Sequence, residues 1–206
     1  MNLEDLLTSI RQVELRITDI YRDLSLQFEQ QSDIASFWEE MHAGRRDHIE
    51  LLDRCLIALS QEKMHQDPLP GKDVHYGEIL KKIDQMAKGI REKERDINLA
   101  LWTAFYLETI SIQNVFNELV KLPREPFFHI LSEVHLRVRQ NMGRLVCGIE
   151  KYGSDPELLK KVLNIKEKVI DRRSGEDRRA GQGDSPPGER RKDDRRKGTL
   201  VKILWY

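Results

Sequence analysis

The chain has 206 residues, and its 35 basic and 35 acidic side chains balance to a formal net charge of zero, so nothing in the overall charge requires a nucleic-acid partner. No run approaches the ~18 consecutive apolar residues that a membrane-spanning helix needs. The N-terminus carries acidic residues early and lacks an apolar core region, so we expect no signal peptide. These features predict a soluble, cytoplasmic protein.

Apolar residues recur at spacings of three and four along most of the chain, which is typical of amphipathic helices. Four long helices are predicted, at about residues 3–30, 32–60, 91–121 and 126–152. Two shorter helices are predicted at about residues 76–88 and 154–170. Short turns join the first long helix to the second and the third to the fourth, and a longer crossing segment joins these two halves. Runs of alternating apolar and polar residues, which are typical of strands, are missing. The pattern therefore predicts an all-α fold built on a four-helix bundle.

The last segment, Asp171–Tyr206, differs in composition from the rest. It repeats a DRR/ERR unit, is rich in glycine and proline, and carries 11 basic against 7 acidic residues. Its few apolar side chains cannot offset the entropy of ordering it, so we expect disorder. The sequence thus predicts a helical domain over residues 1–170 and a disordered charged tail over residues 171–206.

The tail ends in the apolar sequence TLVKILWY, which a merely solubilising tail does not need. We expect a flexible tether that presents Trp205 and Tyr206 to a protein partner, because buried aromatic side chains dominate interface energetics. Two alternatives stay open. The arginine pairs could make weak contacts with RNA or an anionic lipid surface, or the tail could only aid solubility.

Ionisable residues interrupt the apolar stripe of every long helix. Residues three or four apart are neighbours on one helix face, so these side chains are expected to share one interior. They are Glu14 in the first helix, Arg45 and His48 in the second, Glu108 in the third, and His135 and Arg139 in the fourth.

Such buried groups must be paired with each other or with a metal ion. In one arrangement, Glu14 and Glu108 face Arg45 in a core ion-pair network that Arg139 could extend. In the other, the two glutamates bind iron or manganese together with His48 and His135. A third possibility is that the helix phasing is wrong and some of these residues face solvent.

Other chemistry is weakly indicated. Cys55 and Cys147 are far apart and form no CxxC, so a thiolate zinc or iron–sulfur site cannot be built from this chain alone. The sequence has no HExxH, no GxSxG and no phosphate-binding glycine loop, so we assign no catalytic residues.

Four stretches resemble the ferritin-like superfamily, and within it the rubrerythrin-type di-iron bundles. They are ELRITDIY with Glu14 and Tyr21, FWEEMHAGRRDH with Trp38 and His48, YLETISI with Glu108, and FFHILSEVHLRVRQ. These families use a glutamate on the first and third helices and Glu-x-x-His on the second and fourth. The resemblance implies an up-down-down-up bundle with a crossover segment.

The departures from this pattern bear on function. The second motif reads Arg45-x-x-His48 and the fourth reads His135-x-x-Val138, so both motif carboxylates are missing. A guanidinium cannot ligate a metal ion and repels it. We therefore expect a non-catalytic member that needs no cofactor and acts by protein interaction or sensing, with a homodimer compatible with the pattern. The alternative is an iron- or manganese-dependent oxidoreductase using Glu14, His48, Glu108 and His135.

Overall fold

A computed structural model describes residues 2–61, 76–93, 95–111 and 124–165, with the backbone alone for residues 61, 124–132, 134 and 135. This part of the chain is all-helical and contains no strand. The helices are α1 (Leu3–Gln27), α2 (Ser32–Gln61), α3 (Tyr76–Glu92), α4 (Ile97–Ile110), α5 (Arg124–Tyr152) and α6 (residues 156–165).

None of the helices in the described ranges is both long enough and apolar enough to cross a membrane.

Local sequence fixes where several helices begin. Asn2 caps α1 in a capping box with Asp5, whose backbone N–H donates to the Asn2 side chain at 2.7 Å. Asp96 caps α4 by accepting from the backbone N–H of Leu99 at 3.0 Å. Arg95, just before that cap, has a φ of 64°, so the backbone turns there.

The boundaries of α3 and α4 differ from those predicted from the sequence. We predicted that the shorter helix ends near Gly89, but α3 continues to Glu92, because Ile90 is buried and extends its apolar face. The next helix, predicted from about residue 91, begins at Ile97. Its C-terminal part beyond Ser111 was predicted to reach residue 121, which lies outside the described residues.

Contacts between side chains give the helix directions within the first unit, Met1–Ser154. Pairs at both ends of α1 and α2 show that these helices are antiparallel: Arg11 with Asp53, and Tyr21 with Trp38. Arg16–Asp84 and Asp23–Arg91 pairs place α3 parallel to α1.

Two further pairs orient α5. Asp47 of α2 meets Arg137 of α5 at 2.8 Å, and Phe37 of α2 meets Tyr152 of α5 with ring centroids 5.8 Å apart. Because the earlier residue of α2 meets the later residue of α5, these helices are antiparallel. The contacts Glu14–Ser111 and Tyr21–Glu108 make α4 antiparallel to α1. Thus α1 and α5 run one way, and α2 and α4 run the other.

Residues from Asp155 onward form a second unit, of which residues 155–165 are described. The Asp155 carboxylate accepts from the backbone N–H groups of Glu157 and Leu158, at 2.8 and 3.1 Å, and so caps α6. The predicted tail, residues 171–206, lies outside the described residues.

Glycine permits a close approach between α2 and α5. A Cβ placed on Gly148 would overlap the ring of Phe37, which itself packs against Trp38 and Tyr152. The ring is therefore held on two sides and cannot move away easily.

Gly148→Ala is expected to lower the free energy of unfolding by about 1–3 kcal/mol, because overpacking displaces a confined ring. The matched control is Gly143→Ala in the same helix, where a Cβ meets nothing within 4 Å. This control should raise stability by about 0.5–1 kcal/mol through helix propensity. Denaturant unfolding measures both. Equal effects at the two positions would contradict the packing explanation.

Candidate functional site

Three helices bring ionisable side chains into one buried cluster. Glu14 comes from the middle of α1, Arg45 and His48 from α2, and Glu108 from α4. Each is at most 1% exposed. We call Glu14, Arg45, His48, Glu108, Tyr21 and Ser111 the core cluster. Glu14, Arg45, His48 and Glu108 each have a buried apolar neighbour three or four residues away on the same helix face.

Arg45 binds both oxygens of Glu14. Its Nη1 donates to Oε1 at 2.7 Å and to Oε2 at 2.6 Å. Ser111, which follows α4, also donates to Glu14 Oε1 at 2.6 Å and accepts from Arg45 Nη1 at 2.8 Å. On the other side, His48 Nδ1 lies 3.2 Å from Glu14 Oε2. Glu14 is therefore surrounded by three polar partners from two other elements.

Arg45 also binds Glu108. Its Nε donates to Glu108 Oε1 at 3.1 Å, and its Nη2 lies 2.8 Å from the same oxygen. The Tyr21 hydroxyl donates to that oxygen at 2.9 Å, and the Tyr21 ring stacks on Trp38 with centroids 5.9 Å apart. One guanidinium thus joins two carboxylates from different helices. Charge-assisted hydrogen bonds of this kind are about twice as strong as neutral ones.

The surroundings shift the pKa of several members. Burial raises the pKa of Glu14, but the charge of Arg45 and the hydrogen bonds from His48 and Ser111 outweigh burial and hold it at about 2, against an ordinary 4.5. Burial lowers the pKa of Arg45, but Glu108 and Glu14 together keep it above its ordinary value. Burial and the neighbouring Glu108 raise the pKa of Tyr21 well above 10.0. At neutral pH, Glu14 and Arg45 are charged and Tyr21 keeps its proton.

The sequence-predicted residues separate into three groups. Glu14, Arg45, His48 and Glu108 meet in the core cluster. Arg139, proposed as a further member of the core ion pair, is exposed. It follows the buried Val138 by one residue, which turns it about 100° away from the inward stripe. The side chain of His135, together with Trp205 and Tyr206, lies outside the described residues.

The core cluster does not fit a bound metal ion while Arg45 is in place. The guanidinium occupies the space between the two carboxylates and offers only N–H donors, which cannot ligate a metal. Among the described residues, no group of three or more histidine, cysteine, aspartate or glutamate side chains could hold a metal ion. What the cluster can do chemically is fix helices to one another through paired charges.

Sequence reasoning missed Ser111, and it named Tyr21 only through the family resemblance, without a partner. Ser111 supplies a hydroxyl between Arg45 and Glu14, and Tyr21 supplies one to Glu108. Ser111 lies three residues after Glu108, so helical spacing could have placed it on the same face. Tyr21 lies seven residues after Glu14, two turns along α1, and spacing alone did not identify its partner.

A groove lined by described residues lies between α1 and α3 and encloses about 360 Å³. Its charges neutralise each other locally: Arg16 lies 3.7 Å from Asp84, and Lys88 lies 3.6 Å from Glu92. This mixture selects no particular class of ligand.

Comparison with protein-family models, with curated proteins and with solved structures finds no match to this chain.

Proposed function

We propose that this chain is a ferritin-like, rubrerythrin-like helical bundle whose di-iron site has become an ion-pair core, and that it acts non-catalytically, by protein interaction or sensing. The observation that carries this proposal is the position of Arg45. Its guanidinium binds Glu14 and Glu108 at 2.6–3.1 Å, between the two carboxylates that such a bundle uses as metal ligands.

The helix directions support the proposal. The helices α1, α2, α4 and α5 run up, down, down and up. The helix α3 packs along α1, and in sequence it comes between the pair α1 and α2 and the pair α4 and α5. This order is the one that the resemblance implies, with α3 as the crossover segment. The helix α4 corresponds to the third of the four predicted long helices. Glu14 on α1 and Glu108 on α4 are both buried in the core cluster, and a ferritin-like bundle uses a glutamate on its first and third helices.

The chemistry of the cluster argues against an oxidoreductase. A di-iron or di-manganese centre needs several carboxylate oxygens to balance the metal charge. In this chain the two carboxylates are already neutralised in part by a permanent cation. We therefore assign the cluster a structural role and place the interaction elsewhere on the molecule. The segment 199–206, with Trp205 and Tyr206, is one proposed site for a protein partner.

Metal analysis tests the non-catalytic assignment. Protein purified from cells supplied with iron and manganese is expected to carry only substoichiometric metal and to oxidise Fe(II) no faster than buffer. Arg45→Glu, which restores Glu-x-x-His in α2, is the matched comparison and should retain more metal than the natural chain, because it removes the cation and adds a ligand.

Stoichiometric metal in the natural chain, lost in Glu14→Ala and in Glu108→Ala, would overturn the proposal and favour the metal-dependent oxidoreductase. Metal that survives both substitutions would be bound outside the core cluster.

A further inference from the structure

The helix α3 buries a smaller share of its residues than the helices around it. Three of its 17 residues are buried, Tyr76, Ile83 and Ile90, and they are spaced seven apart. By contrast, seven of the 14 residues of α4 and 11 of the 25 residues of α1 are buried. Residues seven apart lie two turns apart on nearly the same side of a helix. The helix α3 therefore packs through one narrow row of side chains.

The contact between α3 and α1 also leaves space. The groove of about 360 Å³ lies between these two helices, and its lining includes Ile20 of α1 and Ile83 of α3. Close-packed protein interiors contain few voids larger than a water molecule. Ile20 is nevertheless only 2% exposed while α3 is in place. Because Ile20 lies beside α3, removing α3 would expose it.

Polar contacts between α1 and α3 lie mainly at the surface. They are Arg16 with Asp84 at 3.7 Å, Asp23 with Arg91 at 2.7 Å, and the Gln27 side-chain amide, which donates to the carbonyl of Ile90 at 3.1 Å. The side chains of Arg16, Asp84 and Arg91 are each more than half exposed. Exposed ion pairs add little stability. The attachment of α3 thus depends mostly on its few buried apolar side chains.

The core cluster does not use α3. Its members come from α1, α2 and α4, together with Ser111 after α4. The contacts that orient the four long helices are likewise made among α1, α2, α4 and α5. An element with few buried apolar contacts, on a core held by other contacts, is the kind of segment that opens locally.

We propose that α3 detaches from α1 as one unit and returns, while α1, α2, α4 and α5 stay folded. Detachment uncovers Ile20 of α1 and the apolar row of α3, so α3 works as a strap that controls access to both. The inference goes beyond the proposed function and does not depend on whether the core cluster binds metal.

Hydrogen exchange of the full chain, followed by mass spectrometry, tests the proposal. The backbone amides of residues 80–87, in the middle of α3, should be at least about tenfold less protected than those of residues 10–21 of α1, because detaching one helix needs less free energy than unfolding the bundle. Equal protection of the two stretches would show that α3 opens only with the whole bundle, and the proposal would be wrong.

Ile83→Ala should lower the protection of residues 80–87 by at least a further tenfold or so, because it removes most of a buried side chain from the contact. It should leave residues 10–21 within a few-fold of the natural chain. A loss of protection by the same factor in both stretches would contradict the proposal, since α3 would then be part of the cooperative core.

Ile149→Ala is the matched control. Ile149 and Ile83 are both 0% exposed, but Ile149 lies on α5. This variant should lower the protection of residues 10–21 by a larger factor than that of residues 80–87, because it weakens the bundle and not the contact of α3. Equal factors would again contradict the proposal. Ile149→Val, which removes a single methyl group, serves if Ile149→Ala does not fold by far-UV circular dichroism.

Discussion

Arg45→Met is expected to lower the free energy of unfolding by about 3–5 kcal/mol at neutral pH, because it leaves two buried carboxylates without their counter-charge. Arg45 is fully buried and contacts Glu14, Glu108 and Ser111. Methionine is unbranched and apolar, so it fills much of the same space without replacing the charge. Chemical denaturation followed by circular dichroism gives the value.

The same substitution at a surface arginine is the control, because it shows how much stability is lost when an arginine that is not buried is replaced. Arg54 pairs with Glu133 at 3.0 Å, but its side chain is half exposed. Arg54→Met should therefore cost no more than about 1 kcal/mol.

A triple variant covers the case in which Arg45→Met does not fold. Removing all three charges, with Glu14→Leu and Glu108→Leu added to Arg45→Met, should restore much of the lost stability. Replacing a whole buried ion cluster by apolar residues is often neutral. If Arg45→Met costs less than Arg54→Met, the cluster does not stabilise the fold in the way described.

Acid should destabilise the protein through Glu14. Its pKa falls from an ordinary value of 4.5 to about 2 in the folded chain, where Arg45 and two hydrogen bonds outweigh burial. The unfolded chain therefore takes up this proton first, and the stabilisation is fully present above about pH 4.5 and lost as pH falls towards 2. At about 1.4 kcal/mol per pKa unit, Glu14 contributes about 3 kcal/mol to the acid dependence of unfolding.

Urea unfolding across this pH range measures the effect. Glu14→Gln should flatten the acid slope, because it removes the group that titrates. Asp53→Asn is the matched control, since Asp53 also pairs with an arginine, Arg11, but at a half-exposed site. It should leave most of the slope in place. An unchanged slope in Glu14→Gln would refute the assignment of this titration to Glu14.

The meeting of Glu14, Arg45 and Glu108 could be predicted because each interrupts an apolar stripe at helical spacing. Burial of one face then forces the three side chains into a common interior, and opposite charges pair there. The all-helical composition of the described residues followed from the same periodicity. Both predictions use only the spacing of apolar and ionisable residues along each helix.

Details that depend on how a second helix packs, or on a local cap, could not be predicted from this spacing. Arg139 lies at the edge of its stripe, and only the packing of α5 shows that it faces solvent. The requirement for glycine at position 148 depends on the Phe37 ring of α2, which is distant in sequence. The start of α4 at Ile97 depends on the cap from Asp96 and the turn at Arg95, features weaker than the apolar periodicity around them.

The convergence of α1, α2 and α4 on one guanidinium has a consequence for folding specificity. Apolar stripes tolerate sliding, because a leucine moved by one turn still meets another apolar side chain. A slide of α2 by one turn, about 5.4 Å, would carry Arg45 out of its 2.6 Å contact with Glu14 and leave charges buried without partners. The ion pairs of Arg45 therefore specify the register of α2 against α1 and α4. Other registers would be higher in free energy because they leave buried charges unpaired, even where the apolar side chains still pack.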